Sequence, residues 1–249
     1  MIFLHYIHSM KKDIEILPIF NPEKCNFWDN FQSLYTITYQ HDYNDIVTPA
    51  HLQTLMQGIR DSHANILFGA YDGGKMVGCI VASTAHRRAH IQYLHVLPEY
   101  QNCKIGTQLL LSAEGTSSLH VPRAELTAWG KAENFYRRHK YTSPTCNNKY
   151  EKDIKNAGNY SIHPVFSRGI KILQTFSAIS GTPYDTLKQE IRHDTPVFVQ
   201  KHPNDYISCY GYINARGESV VHSRPGCTFA HQQIEKRLHQ YRQFQPQTR

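Results

Sequence analysis

Apolar and polar positions alternate over residues 13–20, which predicts a first strand, and two segments with helical spacing follow it. The first helix is expected at residues 26–39. The second begins with Thr48-Pro49, an order that is typical of a helix start. Two apolar runs then flank Asp72-Gly73-Gly74, which predicts a β-hairpin. A third apolar run, at residues 89–97, continues the predicted sheet.

Beyond residue 100, helical and strand-like segments alternate. Helices are expected at residues 105–116 and 132–141, and strands at 124–128 and 148–154. This order predicts an α/β (α+β) domain with a mixed central sheet flanked by helices. The composition loosens after residue 154, so we expect one domain at residues 1–155 and a smaller one at 156–249.

Residues 156–249 are expected to form a small α+β module, which we call the C-terminal module. Its predicted elements are helices at 168–180, 182–192 and 229–244, and strands at 196–201, 206–214 and 219–223.

Composition excludes some classes of protein. The 249 residues are 40% hydrophobic and 19% charged, so the chain can bury a core. Its apolar stretches fall far short of the roughly 20 residues that span a bilayer, and its first residues do not match a secretory signal. We therefore expect a cytoplasmic protein. The six cysteines include no CxxC pair, which favours free thiols over disulfides or a metal site.

The net charge of +7 is uneven, with +2 in residues 1–155 and +5 in residues 156–249. Mild basicity is compatible with anionic ligands such as nucleotides. No run of five or six basic residues occurs, so nucleic acid is not the expected partner.

The segment at residues 93–110 carries the most informative chemistry. A strand leads through Pro98 into a polar turn, and a helix begins near Lys104–Gly106. Unpaired backbone N–H groups at a helix start are suited to holding a phosphate or pyrophosphate. Gly106 would allow close approach, and Thr107 and Lys104 would add a hydroxyl and a charge. An ordinary strand-to-helix turn is the alternative interpretation.

Residues 96–110 resemble motif A of the GCN5-related N-acetyltransferases (GNAT), Q/R-x-x-G-x-G/A. Gln101, Ile105, Gly106 and the pair Leu109-Leu110 match it, whereas Lys104 replaces the first glycine. Residues 132–141 resemble the A-x-x-FY-x-x-x-GF block of the family, and residues 150–154 its final strand. The resemblance covers residues 13–155 and implies the GNAT acyl-CoA N-acyltransferase fold.

This resemblance implies acetyl-CoA as a co-substrate, with no metal. The backbone of Leu94, His95 and Val96 would pair with the pantetheine arm, and the Val96 N–H would polarise the thioester carbonyl. Asn134 is a further candidate contact, and Trp129 stands where the family often has an asparagine. The pyrophosphate would lie over the turn, whose candidate residues are Gln101, Asn102, Cys103, Lys104, Ile105, Gly106 and Thr107.

Two residues are candidates for proton transfer. Tyr136 lies at the tyrosine position of the family, where a phenol would protonate the leaving thiolate. His90 resembles a histidine of the arylalkylamine N-acetyltransferase strand and would accept the proton of the amine, unless water does so. Period-two alternation puts His90 and Gln92 on one face of the strand and His95 on the other.

The function implied is transfer of the acetyl group of acetyl-CoA to a primary amine by direct attack in a ternary complex. The acceptor, a small molecule or a protein, stays open. One alternative is a CoA-binding regulator with little or no activity, and another is an acetyltransferase targeted to a partner by its C-terminal module.

The C-terminal module is expected to shape the acceptor groove or to form a subunit contact, as in a homodimer, and to be dispensable for CoA binding. Two other interpretations are less favoured. One is a single-stranded nucleic-acid surface using Phe198, Tyr206, Tyr210 and Tyr212. The other is a zinc site using His202, Cys209, His222, Cys227 and His231.

Overall fold

The computed structural model of the protein describes residues 14–23, 25–62, 65–143, 148–157, 161–166, 170–192, 195–202 and 207–244. These residues form two sheets and seven α-helices.

The first sheet has six strands, the number that the sequence predicted, and they lie side by side in chain order. All neighbouring strands are antiparallel except the fourth and fifth, which are parallel. The strands are β1 (Glu15–Pro18), β2 (Ile66–Asp72), β3 (Lys75–Ala85), β4 (Arg88–Val96), β5 (Arg123–Thr127) and β6 (Lys149–Asp153). The predicted hairpin joins β2 to β3, where Gly73 and Gly74 have φ of 54° and 88°, values that favour glycine.

Helices cover both faces of this sheet. Residues 105–117 pack on one face of β2, β3 and β4, and residues 27–43 contact β3 and β4 from the other. As a result β3 is buried along most of its length. The helices are α1 (Phe27–Tyr43), α2 (Pro49–Asp61), α3 (Ile105–Ser117) and α4 (Lys131–Arg138), with a 3₁₀ turn at Pro98–Tyr100.

A β-bulge in β4 corrects the predicted alternation. His90 pairs with Ser83, Ile91 with Ala82, Tyr93 with Val81 and His95 with Cys79, so that Gln92 is the extra residue. Paired residues share a face of the sheet, and the β3 partners of His90, Tyr93 and His95 are two residues apart. His90 and His95 therefore lie on the same face, which is the one covered by α1.

The second sheet lies in the C-terminal module and confirms its predicted α+β character. Its four antiparallel strands have the order β10-β9-β8-β7. Strand β7 was not predicted, because three residues are too few to show alternation. The elements are β7 (Ile162–Pro164), α5 (Ile170–Ser180), α6 (Tyr184–Glu190), β8 (Val197–Lys201), β9 (Ile207–Ile213), β10 (Ser219–Ser223) and α7 (Thr228–Phe244).

The two sheets are tied together through the C-terminal end of α3. Lys201 is buried, and its Nζ donates to Ser118 O, Ser118 Oγ and Lys155 O at 3.1, 2.9 and 2.9 Å. The ring of His163 packs against Gly115 of α3. Phe20, from the first half of the chain, contacts Phe198 of β8. The C-terminal module is thus bound to the first sheet by buried polar and aromatic contacts.

Candidate active site

The first sheet has an opening where β4 and β5 separate. The two parallel strands pair from Arg88↔Arg123 to Ile91↔Leu126 and no further. The rest of β4, residues 92–96, is paired only with β3. The β5-facing edge of β4 is therefore free to pair with an extended ligand.

The backbone of Leu94 and Val96 faces this opening. Leu97 N–H donates to Val77 O of β3 at 2.9 Å, and alternate residues of a strand direct their N–H groups to opposite sides. The groups of His95 therefore face β3, and those of Leu94 and Val96 face away from it. Of the three residues predicted to contact the pantetheine arm, His95 is the one that the structure turns away from the opening.

Six consecutive backbone N–H groups, those of residues 102–107, are free in the turn that follows β4. Gln101 N–H donates to Pro98 O, and the first bond of α3 runs from Gln108 N–H to Lys104 O. Within the described part of the chain, none of the six N–H groups between them has an acceptor. They lie at the positive end of α3, which is an anion site.

The side chains of this turn have different roles. Gln101, Asn102, Cys103 and Lys104 are exposed. Gln101 Nε2 donates to Val96 O at 3.3 Å and so links the turn to the free edge of β4. Lys104 has a left-handed φ of 63°, a conformation that glycine adopts at no steric cost and that explains a glycine in the family pattern. Its side chain forms no capping hydrogen bond.

Ile105, Gly106 and Thr107 face the protein more than the solvent. The Ile105 side chain is in the core, so only its backbone N–H can meet a ligand. A Cβ on Gly106 would lie 3.6 Å from the Phe135 ring and 3.8 Å from Val96 Cγ2, which is ordinary contact. Thr107 Oγ1 lies 3.1 Å from His139 Nε2 and joins α3 to the end of α4.

Tyr136 is buried in α4. Its ring packs edge-on against Phe135 and Tyr141, with centroids 5.1 and 5.7 Å away. Burial raises the pKa of Tyr136 well above its usual value of about 10, because a phenolate would be poorly solvated. The phenol therefore stays protonated at neutral pH, the form that a general acid needs.

His90 lies at the last paired positions before the opening. Its Nδ1 is 2.8 Å from Glu125 Oε1, and Arg88 Nη1 lies 3.0 Å from Glu125 Oε2. Two lone pairs would repel at 2.8 Å, so Nδ1 carries a proton. The His90 Nε2 atom is buried and has no partner among the described residues. Sequence reasoning missed Glu125, although a carboxylate between Ala124 and Leu126 in a short apolar strand was a signal.

His95 is partly buried and packs against α1. Thr38 Oγ1 donates to Leu34 O at 2.9 Å, so it accepts its 2.9 Å hydrogen bond from His95 Nδ1–H. Burial lowers the pKa of His95 to about 4, because the imidazolium would be desolvated. His95 is thus neutral at pH 7, with its proton on Nδ1.

Two further candidate residues are exposed to solvent. Asn134 is exposed and shares a shallow depression with Lys131, Arg137 and Arg138. It is two residues from Tyr136 on α4, so the two side chains point to different sides of the helix. Trp129 is 60% exposed at the end of β5.

Residues 63–143 match the family model described as "Acetyltransferase (GNAT) domain". The matched region includes β4, the opening, the turn and α4. This part of the chain resembles a GNAT acetyltransferase domain. The mixed sheet flanked by helices is the fold expected from the resemblance, so this part of the prediction is confirmed. The match assigns acetyl transfer as the general chemistry and does not specify an acceptor.

Several solved structures of acetyltransferases are similar to part of the chain. PaiA N-acetyltransferase from Thermoplasma acidophilum, in complex with coenzyme A, is 20% identical, with a TM-score of 0.45; the match covers 56% of this chain and 98% of that one. A GNAT family acetyltransferase from Brucella melitensis, in complex with acetyl-CoA, is 14% identical, with a TM-score of 0.44 and coverage of 57% and 88%. Comparison with curated proteins finds no match.

The other ligand classes considered from the sequence find little support in the described residues. Phe198, Tyr210 and Tyr212 are at most 4% exposed, so they offer no stacking surface, and Tyr206 lies outside the described residues. No group of three His, Cys, Asp or Glu side chains that could hold a metal ion occurs in the described part of the chain. None of its helices is both long and apolar enough to span a bilayer.

Proposed function

We propose that the protein transfers the acetyl group of acetyl-CoA to a primary amine by direct attack in a ternary complex. On this proposal residues 1–155 form the acetyltransferase domain and residues 156–249 a C-terminal module. The acceptor is a small molecule or a protein amine.

The observation that carries the proposal is the arrangement of free backbone groups. The six N–H groups of residues 102–107 match the needs of a diphosphate. The free edge of β4 at Leu94 and Val96 is suited to the amide groups of pantetheine, which can add to it as a strand would. These two features are linked by the hydrogen bond from Gln101 to Val96, so one extended molecule can occupy both.

The residues around the opening supply the rest of the reaction. The Val96 N–H would polarise the thioester carbonyl as the amine nitrogen bonds to its carbon. The C–S bond then breaks, and Tyr136 gives its proton to the sulfur. His90 would take the proton lost by the amine at Nε2, since Glu125 holds the proton on Nδ1. Water is the alternative acceptor of that proton.

The test pairs binding with turnover. The full chain is titrated with CoA by calorimetry, then incubated with acetyl-CoA and a panel of primary amines while free thiol and acetylated product are measured. Tyr136→Phe should retain CoA affinity and lose roughly 100-fold in turnover. The control Tyr184→Phe, in the C-terminal module, should retain both. A Tyr136→Phe protein within twofold of wild type would show that the thiolate leaves by another route.

The same experiment distinguishes the CoA-binding regulator. Lys104 at the first glycine position and the exposed Trp129 favour that alternative. It predicts CoA binding without thiol release for every amine, whereas loss of CoA binding altogether would contradict both functions.

A further inference from the structure

A cleft of about 1180 Å³ lies between the first sheet and the C-terminal module. From the first half of the structure it is lined by Gln108 of α3, by residues 138–140 at and just after the end of α4, and by the end of β6. Arg237 and Tyr241 of α7 line it from the C-terminal module. No contact in the proposed acetyl transfer uses this space.

Among the charged side chains that line the cleft, cations outnumber carboxylates. Lys152 is paired with the buried Glu114 at 2.6 Å, so these two charges cancel. The remaining charged side chains that line it are the cations Arg138, Lys140, Lys155 and Arg237 and the carboxylates Glu15 and Asp153. The excess of positive charge in a concave space favours an anionic ligand.

This cleft adjoins the turn that carries the free N–H groups. His139 lines the cleft, and its Nε2 lies 3.1 Å from Thr107 Oγ1. Gln108, the residue after the last free N–H, also lines it. A diphosphate bound to the turn would therefore lie beside the cleft, and the group covalently attached to that diphosphate would extend into it or past it.

The cleft and His90 lie on opposite faces of the first sheet. The cleft lies along α3, whereas His90 lies on the face covered by α1. A ligand in the cleft is therefore on the side of the diphosphate and away from the proposed proton acceptor. This position suits the nucleotide end of CoA better than an acidic acceptor.

We propose that the cleft holds the 3′-phosphorylated adenosine end of CoA, with Arg138 and Lys140 from the first half of the structure and Arg237 from the C-terminal module around it. The inference rests on the proposed function and extends the cofactor site into residues 156–249. It replaces the expectation from the sequence that the C-terminal module is dispensable for CoA binding.

The experiment measures how the full chain discriminates CoA from 3′-dephospho-CoA by calorimetry. Wild type should bind CoA at least tenfold more tightly, about 1.4 kcal/mol. Arg237→Gln should reduce this ratio severalfold by weakening CoA alone. Lys236→Gln is the matched control, because Lys236 is the preceding residue of α7, is also exposed and is not among the residues that line the cleft. Thermal unfolding checks that both variants are folded.

Three outcomes would overturn the inference. If wild type binds both ligands equally, the cleft does not hold the 3′-phosphate, and the proposed function stands because CoA still binds. If Arg237→Gln weakens both ligands equally, Arg237 acts on the fold and not on the phosphate. If the ratio falls in Lys140→Gln but not in Arg237→Gln, the C-terminal module is not part of the site. Failure of wild type to bind either ligand would instead contradict the proposed function.

Discussion

Burial of a single histidine side chain can make the free energy of unfolding of this protein depend on pH. His95 has its pKa lowered to about 4, whereas an exposed histidine titrates near 6.5. Between these pH values the unfolded chain binds a proton that the folded protein does not bind. The free energy of unfolding should therefore fall as the pH drops from about 6.5 to 4, and His95 alone accounts for up to about 3 kcal/mol.

The measurement is the slope of unfolding free energy against pH, from denaturant titrations at pH 4.5 and 7. His95→Gln should flatten the slope, and the exposed His239→Gln should leave it unchanged. Burial lowers the pKa of His120, His139 and His222 as well, so some slope remains in every variant. An equal slope in His95→Gln and wild type would show that His95 does not titrate as described.

At the scale of elements, the start of α3 limits the size of the side chain that position 106 can carry. Gly106 faces Phe135 and Val96, and an added Cβ would make only ordinary contacts there. Gly106→Ala should therefore bind CoA nearly as wild type does. Gly106→Val adds two methyl groups beside those side chains and the free N–H groups, and should weaken CoA binding at least tenfold, about 1.4 kcal/mol. Unchanged calorimetric affinity in a folded Gly106→Val protein would exclude the turn as the diphosphate site.

Strands β4 and β5 together position His90. In Glu125→Gln the amide oxygen would stay on the Arg88 guanidinium, so the NH₂ group would face His90 Nδ1. That arrangement moves the histidine proton to Nε2 and blocks proton acceptance there. We expect at least a tenfold loss of turnover with little change in CoA affinity.

The matched control is Glu151→Gln, because Glu151 also binds Arg88, at 3.0 Å, and no contact joins it to His90. Since Glu125 acts through His90, Glu125→Gln should have no further effect in a His90→Gln background. Additive losses in the double variant would mean that Glu125 acts independently of His90.

Sequence patterns predicted the elements well and the faces of β4 poorly. The strands, the Gly73-Gly74 hairpin and the start of α3 are all found, because each depends on local periodicity or turn chemistry. The bulge at Gln92 depends on pairing with β3, which the alternation within β4 does not report. For the same reason the contact between His90 and Glu125, 35 residues apart, could not be read from the sequence.

For the whole molecule, the C-terminal module is more closely joined to the first sheet than the loosened composition near residue 154 predicted. Lys201 reaches Ser118 and Lys155, and Phe20 packs with Phe198. Removing residues 156–249 would expose these groups, so a truncated chain would confound loss of a ligand contact with loss of folding. Point substitutions are the better probe of the junction.

Gly115 offers such a probe. A Cβ added there would lie 2.3 Å from His163 Cε1, and His163 is only 5% exposed, so its ring cannot swing out freely. Gly115→Ala should destabilise the protein by about 1–3 kcal/mol, the range for overpacking a closed interior. Gly58→Ala is the control, because nothing lies within 4 Å of its added Cβ and alanine favours a helix by about 0.5–1 kcal/mol. Denaturant unfolding of both variants gives the comparison. If Gly115→Ala were as stable as Gly58→Ala, the contact between α3 and His163 would not hold the C-terminal module in place.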